Sequence, residues 1–204
     1  MPLGSVYKQR TAPYNGSVEN TDWNDIQAAL DGDKTAFERL VGRYQGQITR
    51  LCRRFSRDSS VCQRLVQDTF VEAFISLKSY KAKAPFLHWL RKIATRTGYR
   101  YWKERDRQKR FLSLEEFDFA QKNRDEEIEP SKAAQILHAL LDRLPSADRL
   151  VLTLMYFEDC PIKEIAQRTG WTVAAVKMRG ARARKKLKKI TEKEKLLEKL
   201  EWMQ

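Results

Sequence analysis

Histidine is nearly missing from this chain, which has only His88 and His138, and cysteine is limited to Cys52, Cys62 and Cys160. The histidines stand far apart and no two cysteines have the CxxC spacing of a metal or redox site. No metal site and no disulfide framework is expected, and an odd number of thiols suits a reducing compartment. No glycine-rich phosphate loop, HExxH or GxSxG is present, so neither nucleotide hydrolysis nor zinc or serine hydrolase chemistry has its tools here. The expectation is a protein that is no enzyme, with no catalytic residue, no cofactor and no small-molecule substrate. Eight glycines and six prolines in 204 residues are few, which argues against a β-sandwich and for long helices. No apolar run approaches the roughly 20 residues that cross a bilayer, so no membrane insertion is expected. The first twenty residues lack the apolar core of a signal peptide, and a cytoplasmic location is expected.

What the chain has in excess is positive charge. Its formal net charge is +13, with 33% charged and 42% hydrophobic residues, enough apolar material for helical cores. Such a balance implies a polyanionic partner, and nucleic acid fits best. Most of the excess lies in Pro161–Ile190, PIKEIAQRTGWTVAAVKMRGARARKKLKKI, where ten Lys/Arg face one Glu for a net +9. Ile162, Ile165 and Ala166 have helical spacing. Gly170 supplies a turn in which a residue without Cβ takes positive φ cheaply. Thr172 stands where an N-cap is wanted. Val173, Val176, Gly180, Ala183 and Leu187 then fall at spacings of three and four and form one inward stripe. Ala174, Ala175, Lys177, Met178, Arg179 and Arg182 are left outside. A short helix, a glycine turn and a longer basic helix is the pattern of a helix-turn-helix whose second helix enters a major groove.

The remainder reads as more helix. Residues 1–20 are polar and read as a disordered tail. Short and long helices follow over 21–30 and 34–55, broken by Asp31-Gly32-Asp33. A third spans the stretch after Ser56–Asp58 to about Leu77, with Leu65, Phe70, Phe74 and Leu77 among its inward residues. Pro85 opens a fourth with two faces. Phe86, Leu90, Ile93, Thr97 and Tyr101 make the apolar one, while Lys92, Arg96, Arg100, Lys103 and Arg107 make a basic stripe. Few acids lie four residues away to neutralise that stripe, so it suits backbone phosphates. Residues 111–130 hold seven acids and two bases and read as a flexible acidic linker. Helices are expected again at 131–144 and 149–157, and residues 191–204 read as a helical tail. The organisation is all-α: one helical domain over 21–110, the linker, and a helix-turn-helix domain over 131–190.

Two stretches resemble the extracytoplasmic-function (ECF) sigma factors of bacterial RNA polymerase. Arg64–Arg107, with LVQDTF and FLHWLRKIA, is similar to the family's second conserved region. Leu144–Leu187, with LP…YF, EIA…G and VK.R..RAR, is similar to its fourth. The motifs are specific in combination and order, and the resemblance covers about three quarters of the chain. It implies docking of the LVQ-type helix on the β′ clamp helices of core polymerase, which places Leu65, Gln67, Asp68, Phe70 and Glu72 at that interface, with the β flap as a second contact. It implies that the following loop, Ser79, Tyr80, Lys81, Ala82 and Lys83, captures a base flipped from the −10 element. Trp89 is a further stacking candidate, and Lys92, Arg96, Arg100, Lys103 and Arg107 would hold the separating strands. The recognition helix, with Thr172, Ala174, Ala175, Lys177, Met178, Arg179 and Arg182, would read the −35 element. Arg179 and Arg182 are the candidates for bidentate contact with guanine. Promoter DNA, core polymerase and an anti-sigma factor are the implied partners.

The chain departs from the family pattern in three places. Arg64 stands where members often have an acid, Thr95-Arg96 where many have Asn, and Arg100 where an acid is common. Two other readings remain open at this point: a stand-alone helix-turn-helix regulator, and an antagonist that mimics a sigma factor.

Overall fold

The computed structural model describes residues 17–111 and 132–193, and every regular element among them is helical. The expected all-α class is therefore what the chain forms. In chain order the helices are α1 (Ser17–Leu30), α2 (Lys34–Cys52), α3 (Ser59–Ser76), α4 (Phe86–Phe111), α5 (Lys132–Asp142), α6 (Ser146–Tyr156), α7 (Ile162–Thr169) and α8 (Val173–Lys193), with a 3-10 turn at Leu77–Ser79. Helix α1 begins within the stretch read as a tail. The rest of that tail, the acidic linker from residue 112 on, and the C-terminal residues from 194 on lie outside the described residues.

Local chemistry fixes the helix ends. Gly32 has φ 104°, and Asp33 accepts from the backbone N–H groups of Thr35 and Ala36 at 2.9 and 3.3 Å, capping α2. Asp58 caps α3 in the same way through Ser60 and Val61, at 2.9 and 3.1 Å. Gly170 closes α7 in the left-handed conformation, φ 79°, and the Thr172 hydroxyl accepts from Ala175 N–H at 3.1 Å to open α8. The turn and cap read from the sequence are both formed.

Helices α1–α4 pack around Leu40, Ile48, Leu51, Leu65, Phe70, Leu77, Phe86 and Leu90. Helix α1 is held to α2 by a charge network. Asp25 pairs with Arg39 and Arg43 at 2.8 Å each, while Asp22 binds Arg43 and the Tyr44 hydroxyl. Burial works against ionisation of Asp25, but the two guanidinium groups outweigh it and hold the carboxyl below its ordinary range. All three cysteines are buried and free, and burial pushes Cys52 and Cys160 up to about 12 and about 11. Their thiols are inert, as small core hydrophobes are.

The second module does not stand apart. Its Leu150, Val151, Leu154, Ile165 and Val176 belong to the same buried cluster as the residues of α1–α4. The middle of helix α6, Asp148–Leu154, is buried all round because it lies between α4 on one side and α8 on the other. A second, smaller cluster of Leu141, Leu144, Leu152 and Ala183 closes its far side. Trp102 of α4 is 1% exposed and donates its indole N–H to the Phe55 carbonyl at 2.8 Å.

Gly98 permits this approach: a Cβ there would stand 2.3 Å from the Phe55 ring, which Trp102 backs at 4.7 Å between centroids. Gly98→Ala is expected to destabilise the chain by about 1–3 kcal/mol in urea unfolding, the usual cost of overpacking. An unchanged midpoint would contradict the packing of α4 described here.

Candidate nucleic-acid interface

The outer face of α3 carries an apolar strip. Val71 is 51% exposed, Phe74 48% and Ile75 75%. Phe74, expected inward, instead touches the Phe37 ring edge-on at 5.0 Å and leaves its other side open. Gln67 and Asp68 border the strip in solvent, whereas Leu65 and Phe70 are buried and shape it from behind. Val71 and Ile75 were missed from the sequence, although their spacing of four, off the Leu65–Phe70 stripe, was the available signal.

In the loop after α3 inward and outward residues alternate. Ser79, Lys81 and Lys83 are exposed, while Tyr80 is half-buried and Ala82 buried. Tyr80 donates to the Ala84 carbonyl at 2.7 Å and packs on Phe86 and Trp89 at 5.4 and 5.5 Å. Trp89 and Phe86 complete the aromatic cluster at 5.4 Å. Ala82 has φ 50°, a left-handed backbone that costs about 1–2 kcal/mol without glycine. The loop is thus a fixed feature, anchored by rings, with two lysines aimed outward.

The basic stripe of α4 is solvent-facing but not bare. Arg100 pairs with Glu72 of α3 at 2.8 Å, which joins a candidate docking residue to a candidate strand-binding one. Arg107 pairs with Glu104 at 2.8 Å, and Lys103 is exposed. Lys92 and Arg96 line a groove with Lys163, Gln167, Gly170, Trp171 and Thr172, so the stripe's upper end meets the helix-turn-helix.

On α8, Ala174, Lys177, Met178 and Arg182 are exposed, Ala175 and Arg179 half-buried. The two arginines differ in their surroundings. Arg182 makes a forked ion pair with the fully buried Asp148, at 2.7 and 3.1 Å, and Lys186 adds a third contact at 3.3 Å. Burial opposes ionisation of Asp148, yet Arg182 and Lys186 outweigh it and hold the carboxyl below its ordinary range. Arg179 instead lies over the Trp171 ring at 4.5 Å. Trp171 in turn meets Tyr99 of α4 edge-on at 5.5 Å. Neither the Asp148 partnership nor the Trp171 stack has a local sequence signature, since each is made between separate elements.

A model of sigma-70 region 2 matches residues 40–108, and one of sigma-70 region 4 matches residues 134–187. The chain belongs to the sigma-70 family. It is 28% identical over 182 residues to the RNA polymerase sigma-H factor of Pseudomonas aeruginosa, covering 84% of this chain and 94% of that one. It is also 28% identical over 174 residues to the ECF RNA polymerase sigma-E factor of Haemophilus influenzae, covering 80% and 92%. Among solved structures, CnrH in complex with the cytosolic domain of CnrY is similar at 25% identity and a TM-score of 0.53, over 84% of this chain and 97% of that one. The sigma factor RpoE of Bartonella quintana, solved with the anti-sigma factor NepR, shares the fold at 18% identity and a TM-score of 0.56, over 76% and 96%. This sigma factor is of the ECF kind and acts in transcription initiation. Among the described residues, no helix is long and apolar enough to cross a membrane.

His138 of the second module stacks on Phe157 at 6.2 Å. Burial, and then the cations Arg57 and Arg149, pull its pKa from 6.5 down to about 4. The folded state therefore keeps it neutral, and the unfolded chain binds the extra proton first. Stability is expected to fall as pH drops from about 6.5 towards about 4, and His138→Gln is expected to flatten that part of the curve. Parallel curves for the two chains, followed by urea unfolding across this range, would contradict it.

Proposed function

We propose that this chain is a promoter-specificity subunit whose surfaces divide the work. The outer face of α3, with Gln67, Asp68, Val71, Ile75 and Glu72, docks on the clamp helices of core RNA polymerase. The loop Ser79–Lys83 and the stripe Lys92, Arg96, Arg100, Lys103 and Arg107 hold the −10 strands. The exposed face of α8, Ala174, Lys177, Met178, Arg179 and Arg182, reads the −35 duplex, with Thr172 capping the helix there. The observation that carries this reading is the α3 strip. An apolar face this open, bordered by polar residues, marks a protein partner. A DNA reader that worked alone would have no use for it.

Arg179 and Arg182 take different parts. Arg182 already has a carboxylate for its fork, so it orients α6 against α8 and lends charge to phosphate. Arg179 is held only by a ring face, and its fork is the one free to turn to a guanine edge. The subunit catalyses nothing itself and works in the cytoplasm, where core polymerase supplies the nucleotide chemistry. An anti-sigma factor is its regulator, by analogy with the sigma factor RpoE of Bartonella quintana, which was solved with the anti-sigma factor NepR.

Run-off transcription with core polymerase on a random promoter library tests this. Initiation at a defined sequence class is expected. Binding of duplex DNA without core would indicate a stand-alone regulator, and core binding without initiation would indicate an antagonist. Ile75→Asp is expected to weaken core binding by about tenfold or more, as loss of a central apolar anchor does, with unfolding unchanged. Arg179→Ala is expected to relax selection at one upstream base pair by about tenfold while core binding persists. Wild-type core affinity in the first variant, or unchanged upstream selection in the second, would contradict the assignment.

A further inference from the structure

We propose that this chain selects its upstream promoter element through thymine 5-methyl groups, which an apolar crest of Ala174, Met178 and Ala181 along α8 contacts in the major groove. The proposal rests on the reading of α8 as the −35 helix and adds the base chemistry that the helix selects.

Three observations carry it. The first is the pattern around the helix. Val176 and Ala183 are fully buried, and Gly180 is buried with its Cβ position 3.4 Å from Val151 of α6, so these three define the inward side of α8. At 3.6 residues per turn, Ala174, Met178 and Ala181, spaced by four and three, fall on the opposite side. All three are exposed, and Met178 is open to 62%. None of them belongs to either buried cluster, so packing within the chain does not account for the stripe.

The second is where the cations lie. Lys177 and Arg184 run along one edge of the crest, and Arg182 and Lys186 along the other. Such a helix matches a major groove: its basic edges meet the phosphates of the two strands, and its crest goes deepest, to the base edges. The charge calls for a polyanion on both sides at once, which a duplex groove supplies.

The third is what the crest lacks. Ala174 and Ala181 have no polar side-chain atom, and the Met178 thioether is only a weak acceptor. The arginine forks lie off the crest. Asp148 takes up the fork of Arg182 at 2.7 and 3.1 Å, and Arg179 lies over the Trp171 ring. Among the groups that bases present in the major groove, the thymine methyl is the apolar one. Covering it with Met178 removes apolar area from water, whereas a polar base edge at the same place would lose its water without gaining a partner. The unbranched Met178 side chain adapts to the methyl it meets, and the alanines on either side let the helix come close.

The test uses the full chain assembled with core polymerase and a promoter selected by run-off. Thymines of the upstream element are replaced one at a time by deoxyuridine, which deletes the 5-methyl group and keeps every hydrogen-bonding atom. Binding is measured at fixed salt. At least one replacement is expected to weaken binding about fourfold, as loss of one buried methyl does, and replacements outside the element to change nothing. Met178→Ala is expected to bind the thymine and deoxyuridine forms equally, with core binding and unfolding as in the wild type. Equal binding of the two forms by the wild-type chain at every upstream position would overturn the proposal. So would a deoxyuridine penalty that Met178→Ala leaves intact, or a selected element made of G·C pairs alone. Loss of core binding in Met178→Ala would overturn it too, since the crest would then be a protein contact. Absence of run-off by the wild-type chain, before any deoxyuridine is introduced, would instead overturn the sigma-factor reading, and this proposal with it.

Discussion

The burial of one cation at the junction of the two modules sets the geometry of the rest. Taking the Arg149 guanidinium out of water costs several kcal/mol, and burial lowers its pKa to about 10, which still leaves it charged at neutral pH. The Asp142 carboxylate and the Trp102 ring face offset that cost, the latter by about 2 kcal/mol or more when desolvated. Neither partner can shift without leaving a charge stranded. Helix α6 is therefore held against α4, and α8, which packs on the other side of α6 through Val151 and Gly180, is held with it. The recognition helix inherits its position from a contact made far from its own DNA-facing surface.

That arrangement brings two charged surfaces to one groove. The stripe on α4 and the outer face of α8 each suit phosphate, and each carries internal partners that orient it: Glu72 for Arg100, Asp148 for Arg182. Charge alone would drive the modules apart. The aromatic contacts Tyr99–Trp171 and Phe55–Trp102, with the acids Asp142 and Glu158 facing Arg105 and Arg54, overcome that repulsion. The same residues explain how a chain of high positive charge packs its two modules together.

Much of this was legible in the sequence because it is local. Asp33 and Asp58 cap their helices, Gly170 turns and Thr172 caps α8, each by chemistry within four residues of the helix end. The motif order in Arg64–Arg107 and Leu144–Leu187 was enough to indicate the family. What the sequence left open lies between elements. Trp102 stands in the polar half of α4, where periodicity assigns it to no face, and only Phe55 and Arg149 give it a place. Arg182 and Arg179 look alike on a helical projection. They are told apart by Asp148 and Trp171, which come from a different helix and from the turn. Phe74 follows the inward period of α3 yet is half open, since only Phe37 faces it.

In the free chain the basic stripe of α4 and the turn before α8 line one groove, although the proposed function assigns them to separate promoter elements. Energy transfer between dyes at exposed positions 103 on α4 and 178 on α8, introduced as Lys103→Cys and Met178→Cys, measures this directly, since the three native thiols are buried. High transfer is expected for the free chain, falling to near zero once core polymerase and a promoter duplex are both bound. Equal transfer in the free and promoter-bound states would contradict the account.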